Sequence, residues 1–337
     1  MTKVLDQAEG KGWVLYNGDC VEVVKGIPDE SIGFSVFSPP FASLYTYTNS
    51  ERDMGNCKNA SDFGIHFNFL IEELMRVTMP GRLCSFHCML LPTSKQHHGY
   101  IGLEDFRGDL IRAFKAHGWI HHSEAVIWKD PVTAMQRTKA LGLLHKQIVK
   151  DSCMSRQGVP DYLITMRKPG VNPNPVEGMF DKFVGDMTVE EFEAWAKRRY
   201  HESASVMRNE GMTSMPFDQF ISVQVWQRYA SPVWMDINPS DTLQKESARE
   251  EKDERHICPL QLQVIERALT LWSNPGDTVL SPFAGIGSEG FKSIKMGRKF
   301  IGIELKQSYY RQAVLNLKAA ESHQSDLMPL AAGMEAA

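Results

Sequence analysis

Two short stretches of this chain carry residue types that could do chemistry together. The first, Ser38-Pro39-Pro40-Phe41, ends an apolar run, GFSVFSPPF. Consecutive prolines hold a rigid extended backbone, which would aim the Ser38 hydroxyl and the carbonyls around it. Phe41 then offers a flat apolar face beside those acceptors. A planar base bearing an amino group could stack on Phe41 while its NH2 donates to Ser38 and to the Pro39 carbonyl. Such hydrogen bonds favour lone-pair density on nitrogen and ready it for direct attack on a methyl group, with no covalent nucleophile from the protein. No general base stands out, so the proton lost after transfer would leave to solvent. Taken alone, a Pro-Pro tetrapeptide is more often just a turn.

The second stretch is VLSPFAGIGSEG, residues 279–290. It reads as a strand, a glycine turn and the start of a helix. Gly285 and Gly287 let the backbone turn tightly and approach a ligand closely. Glu304 closes the next apolar run, 17 residues after Gly287. In a doubly wound sheet a carboxylate at that place accepts from ribose hydroxyls. The third glycine of the dinucleotide fingerprint and the Lys-Ser/Thr pair of phosphate loops are both missing. A nucleoside without phosphate, such as S-adenosylmethionine, fits better than a dinucleotide or ATP. The plain alternative is a tight strand–helix turn that binds nothing.

The elements that must position these loops follow from the apolar periodicity. WVLYNGDC (13–20) predicts a strand ending in a turn, and GFSVF a buried strand stopped by the prolines. Phe67, Leu70, Ile71, Leu74 and Val77 mark one helical face, which Pro80-Gly81 would end before a strand over RLCSFHCMLL. A helix ending at Gly118 and a strand from about His121 to Trp128 repeat the scheme. Strand–helix alternation predicts a mostly parallel sheet with helices on both faces. Residues 132–255 lack clean alternation, apart from one helix over 188–202, and read as an inserted module. Helix, strand 278–281, glycine turn, helix and strand 299–304 then resume the scheme. After about Ser322 the residues are small and polar, which predicts a disordered tail over 323–337.

Composition bounds the rest. With 42% hydrophobic and 23% charged residues, the 337-residue chain reads as an ordinary soluble protein. No apolar run spans a membrane and the N-terminal stretch has no apolar signal core, so a cytoplasmic protein is expected. The six cysteines form no Cys-x-x-Cys pair, and Cys84, His87 and Cys88 read as core residues rather than metal ligands, so no metal is expected. A net charge of −4 argues against indiscriminate coating of nucleic acid. Yet Lys129 to Lys168 carry eight Lys/Arg against three Asp/Glu, which makes the middle the basic part.

Together the two loops resemble the beta class of DNA amino-methyltransferases, which act on adenine N6 or cytosine N4. In that family the (Asp/Ser/Asn)-Pro-Pro-(Tyr/Phe) motif precedes a target-recognition region and the Phe-x-Gly-x-Gly motif comes last. The similarity extends over most of the chain, including NGDC, SEAVIWKDP and the block from His256 to Leu305. It implies a Rossmann-like, circularly permuted α/β methyltransferase fold, mostly parallel with an antiparallel strand. Its catalytic half would cover 1–131, its recognition region 132–255 and its cofactor-binding half 256–322. The resemblance puts Ser38, Pro39, Pro40 and Phe41 in catalysis, and Asp19, Pro282, Phe283, Ala284, Gly285, Gly287 and Glu304 on S-adenosylmethionine. Asp19 would lie near the cofactor adenine and Glu304 on its ribose. Where relatives have Asp-Pro-Phe this chain has Ser281-Pro282-Phe283, and Gly-Ser-Gly-Thr-Thr becomes Gly285-Ile286-Gly287-Ser288-Glu289. The family's Lys-Pro after its His-Pro segment is absent near His256.

Double-stranded DNA is the implied partner and a homodimer the implied assembly. A restriction partner cannot be read from the sequence. Candidate DNA contacts are Tyr45, Arg137, Lys139, Lys146, Arg156, Gln157 and Arg228, since Arg suits guanine edges, Gln adenine edges and Lys phosphates. Tyr45 would belong to a loop that closes over a flipped base. Ser38 leans toward cytosine N4 within the family, whereas the wider match, including QRTKALGLLHKQ, looks like orphan or prophage-borne adenine enzymes. The reading favours adenine N6, with cytosine N4 as the alternative. A binding module that lost catalysis, or an RNA methyltransferase, stands behind both.

Overall fold

The computed structural model describes residues 4–40, 60–93, 95, 99–132, 145–154, 158–178, 180–209, 215–243 and 259–332. Nine strands make one sheet: β1 (Val4–Gly10), β2 (Trp13–Gly18), β3 (Ile32–Phe37), β4 (Thr78–Met89), β7 (Ile120–Ile127), β8 (Asp161–Arg167), β9 (Val233–Trp234), β10 (Thr278–Ser281) and β11 (Lys299–Glu304). A separate two-stranded ribbon pairs β5 (Leu91–Pro92) with β6 (Leu103–Glu104). The order in the large sheet is β1-β2-β11-β10-β3-β4-β8-β7-β9. Strands β2, β11, β10, β3 and β4 run parallel. Strand β8 runs antiparallel between β4 and β7, and β1 is antiparallel at the edge.

Alternate residues of the central strands feed two cores, as the period-two geometry of a strand requires. Val279 and Phe34 face one core while Leu280 and Phe37 face the other. Helices α1 (Cys20–Val24), α2 (Ala60–Val77) and α3 (Phe106–Ala116) cover the face of Leu280 and Phe37 through Val23, Phe67, Leu70, Leu74, Leu110 and Phe114. After α4 (His145–Lys150), α5 (Val189–Asn209) and α6 (Phe217–Tyr229), helices α7 (Leu262–Trp272), α8 (Ser288–Lys295) and α9 (Gln307–Ala332) cover the other. Strand β3 is buried at every position, as a parallel strand sandwiched between helices must be.

Three sequence expectations change. Pro80 and Gly81 do not stop α2 short of a separate strand. They lie inside β4, where Gly81 takes a positive φ of 70° and the β3 pairing slips register. Residues 132–255 are not all outside the sheet, because Asp161–Arg167 form β8 in its interior. Its near-continuous burial hid the alternation that marks a half-exposed strand. Helix α9 continues to Ala332, through residues expected to start a structureless tail at 323. Among the described residues no helix is long and apolar enough to cross a membrane.

Helices α5 and α6 close a third, smaller core around Phe183, Phe192, Val225 and Tyr229. Arg267 of α7 joins it to the main body. This fully buried guanidinium donates twice to the Val184 carbonyl, pairs with Asp236 at 2.9 Å and lies over the rings of Tyr229 and Trp234. Removing one partner of a buried ion pair leaves the other charge unsolvated. Arg267→Leu is therefore expected to lower unfolding free energy by about 3–5 kcal/mol in urea titrations followed by tryptophan fluorescence. An unchanged midpoint would show that the pair holds nothing together.

Candidate active site

In open α/β sheets a crevice forms where neighbouring strands send their connections to opposite faces. Here that point lies between β10, which leads into α8, and β3, which leads toward α2. Val279 pairs with Phe34 and Leu280 with Ser35, so both loops singled out in the sequence leave the sheet side by side. The rings of Phe37 and Phe283 lie 5.8 Å apart and join the two strand ends.

The glycine loop is strapped down on its sheet side. Ala284 N–H donates to the Ile303 carbonyl at 2.8 Å, and Gly285 N–H to Glu304 Oε2 at 2.8 Å. The other Glu304 oxygen accepts from Lys306 N–H. Asn316 of α9 holds the Ile286 carbonyl. Gly287 ends the loop as the N-cap of α8 with a φ of 86°, and a β-carbon there would press on Ala313 at 3.2 Å. Gly285 also has a positive φ, yet a β-carbon there would meet nothing within 4 Å. That open space suits a ligand laid against the backbone.

Asp19 follows β2 and caps α1 through Val21 and Glu22 N–H. Burial first, then the charges of Asp19 and Glu304, push the Cys20 thiol above its ordinary range. Both carboxylates therefore act on one side chain at this end of the sheet. Asn17 ties the two strand ends together by donating to the Glu304 and Leu305 carbonyls. Ser281 Oγ and Ser288 Oγ are buried and make no hydrogen bond among the described residues. Orphaned hydroxyls, an open glycine and a carboxylate at the neighbouring strand end fit a nucleoside-type cofactor.

The proline side of the crevice holds a group the sequence reading missed. Ser38 Oγ lies 3.1 Å from His87 Nδ1. His87 Nε2 lies 3.0 Å from Asp161 Oδ2, which is also 2.6 Å from Lys129 Nζ. Four adjacent strands deliver the four groups to one edge. Ser38 follows β3, His87 sits near the end of β4, Asp161 opens antiparallel β8, and Lys129 follows β7. The register pairs Phe37 with Phe86, Met89 with Asp161 and Asp161 with Ile127. Burial by itself would raise the Asp161 pKa, but His87 and Lys129 more than offset it and hold the carboxyl below its usual range. An ionised carboxylate only accepts, so a neutral His87 facing it would keep its proton on Nε2 and leave Nδ1 to accept from Ser38.

Cys84 and Cys88, by contrast, face the apolar core, where burial pushes both thiols up. Of the other expected contacts, Lys146 lies exposed on α4. Arg228 is half-buried over the Trp195 ring and 3.6 Å from Asp236, which makes it a tie within the third core. Phe41, Tyr45, Arg137, Lys139, Arg156 and Gln157 lie outside the described residues.

Comparison with known proteins bears on family and fold. A DNA adenine methyltransferase of Escherichia coli K12, YhdJ, is 37% identical over 73 residues, 22% of this chain and 25% of that protein. The type II methyltransferase M.BamHI of Bacillus amyloliquefaciens is 25% identical over 294 residues, 86% of this chain and 54% of that protein. The alignments thus span about a quarter and about half of these relatives. Among solved structures, the cytosine-N4-specific PvuII DNA methyltransferase matches with a TM-score of 0.58 at 14% identity, over 93% of this chain and 90% of that one. A Thermus thermophilus protein assigned as a DNA modification methylase, complexed with S-adenosyl-L-methionine, matches at 0.57 and 17% identity, over 91% and 95%. Both share the fold. The family model for DNA methylases of the N6/N4 type matches residues 32–315, and the chain belongs to that family.

Proposed function

We propose that the protein transfers the methyl group of S-adenosylmethionine to the exocyclic N6 of an adenine flipped out of double-stranded DNA. The observation that carries this reading is the placement of Ser38 beside the glycine loop, backed by His87, Asp161 and Lys129. The cofactor supplies an electrophilic methyl group. Gly285, Gly287 and Glu304 would hold it, with Asp19 and Phe283 at the neighbouring strand ends.

Ser38 Oγ and the Pro39 carbonyl would accept the two amino hydrogens of the base and leave the nitrogen lone pair aimed at the methyl carbon. Once methylated, that nitrogen bears a positive charge and sheds a proton. Ser38 Oγ takes it while passing its own proton to His87 Nδ1. The resulting imidazolium is stabilised by Asp161, and Lys129 keeps Asp161 ionised. The relay thus replaces the direct loss to solvent that the sequence suggested.

Two features support adenine: the YhdJ segment at 37% identity, and the wider likeness of the central stretch to adenine enzymes. Ser38 itself favours the second reading, cytosine N4, through the same amino-beside-ring-nitrogen edge. Duplex DNA would be held by the basic middle of the chain. Assembly as a homodimer and intracellular residence extend the resemblance.

Groups that act as a unit lose their effects non-additively. Ser38→Ala and His87→Ala should each slow single-turnover methylation by roughly 10²–10³-fold, and the double variant no further. S-adenosylmethionine affinity should stay unchanged in all three. Normal turnover of either single variant would overturn the relay. For the DNA contact, Lys146→Ala should weaken duplexes of any sequence alike and reduce the salt slope of binding by about one. A loss confined to one sequence would make Lys146 a base reader instead.

A further inference from the structure

Glu289 is the second residue of α8, directly after the glycine loop and the orphaned Ser288 hydroxyl. It is only 4% exposed. An isolated ionised carboxylate is costly to bury unless a cation or several donors meet it. Among the described residues Glu289 meets neither. Burial above all, opposed by its own N–H and aided by the nearby charge of Glu304, raises its pKa to about 8.

The elements packed against α8 bring no cation to it. Strand β10 contributes Ser281, whose hydroxyl lacks a partner, and β11 contributes Glu304, which already receives two backbone N–H groups. Helix α9 packs with Tyr310, Ala313 and Leu317 while its Arg311 and Lys318 are exposed. On α7, Glu266 pairs with Lys292 and Arg267 with Asp236. An acid buried in the first turn of α8, one residue after the orphaned Ser288 and within the field of Glu304, is suited to a positively charged visitor.

We propose that Glu289 is a cofactor-binding group, meeting a cationic group of S-adenosylmethionine as an ionised carboxylate and releasing its proton to solvent on binding. This rests on the cofactor reading above. The cation is the sulfonium or the ammonium of the ligand's amino-acid arm. Bond changes are simple: one Glu289 O–H bond breaks, the proton goes to buffer, and an ion pair forms.

The test is calorimetric titration of S-adenosylmethionine into the whole protein at pH 7, in two buffers of different ionisation enthalpy. Close to one proton released per cofactor is expected for the native chain, and none for Glu289→Gln. That variant is nearly isosteric with the protonated acid, so it should fold. Affinity of the native chain should also rise about tenfold per pH unit from 6 and level off near pH 8. The profile of Glu289→Gln should be flat and weaker. S-adenosylhomocysteine, which keeps the ammonium but lacks the sulfonium charge, locates the cation: retained proton release points to the ammonium, its loss to the sulfonium. Binding without proton release, or release unchanged in Glu289→Gln, would overturn the proposal. No binding at all would instead overturn the cofactor reading.

Discussion

The pairing of β10 with β3 is the constraint on which the site depends. Some 240 residues separate them in the chain, yet Val279 stands against Phe34 and Leu280 against Ser35. Parallel alignment brings their carboxyl ends level, and opposite helical connections open the crevice between them. The glycine loop and the proline stretch therefore lie side by side although they come from distant parts of the sequence. A parallel pair needs its long connections to fold back over the sheet, and here they supply both cores.

Edge-on, the same sheet explains the relay. Each neighbouring strand beyond β3 contributes one group at one level, and the antiparallel β8 does so with its first residue rather than its last. The sheet thereby gathers a hydroxyl, an imidazole, a carboxylate and an ammonium without a single shared helix or loop. Of these four groups only Ser38 would touch the base. His87, Asp161 and Lys129 would act through it, in order of distance. On the cofactor side the division differs: Glu304 is bound to the glycine loop itself, so its first duty is to hold Gly285 in place.

Local chemistry made much of this legible in the sequence. The strand–glycine turn–helix stretch, strand 299–304 ending in Glu304, and the proline-stopped β3 all stood out because turn residues and apolar runs are local signals. The relay was not legible, for a reason its members share. His87 lies in a run of core residues and Asp161 in a stretch read as an insertion, and only cross-strand register shows that they meet. Strand β8 was missed because burial on both faces erases alternation. The charge of Arg228 was visible in the sequence but not its neighbours, the Trp195 ring and Asp236 at 3.6 Å. Pro80-Gly81 misled for the opposite reason, since a helix-ending signal can also be accommodated as an irregularity within a strand.

Transfer of a methyl group to an amino nitrogen of DNA is the central claim, and one measurement meets it directly. Methyl-free plasmid DNA would be incubated with the protein and S-adenosylmethionine labelled in its methyl group, then digested to nucleosides for mass spectrometry. Labelled N6-methyladenine is the expected product. Labelled N4-methylcytosine would keep the mechanism and reassign the base. Unlabelled DNA in the presence of bound cofactor would contradict the assignment and send the search to another acceptor.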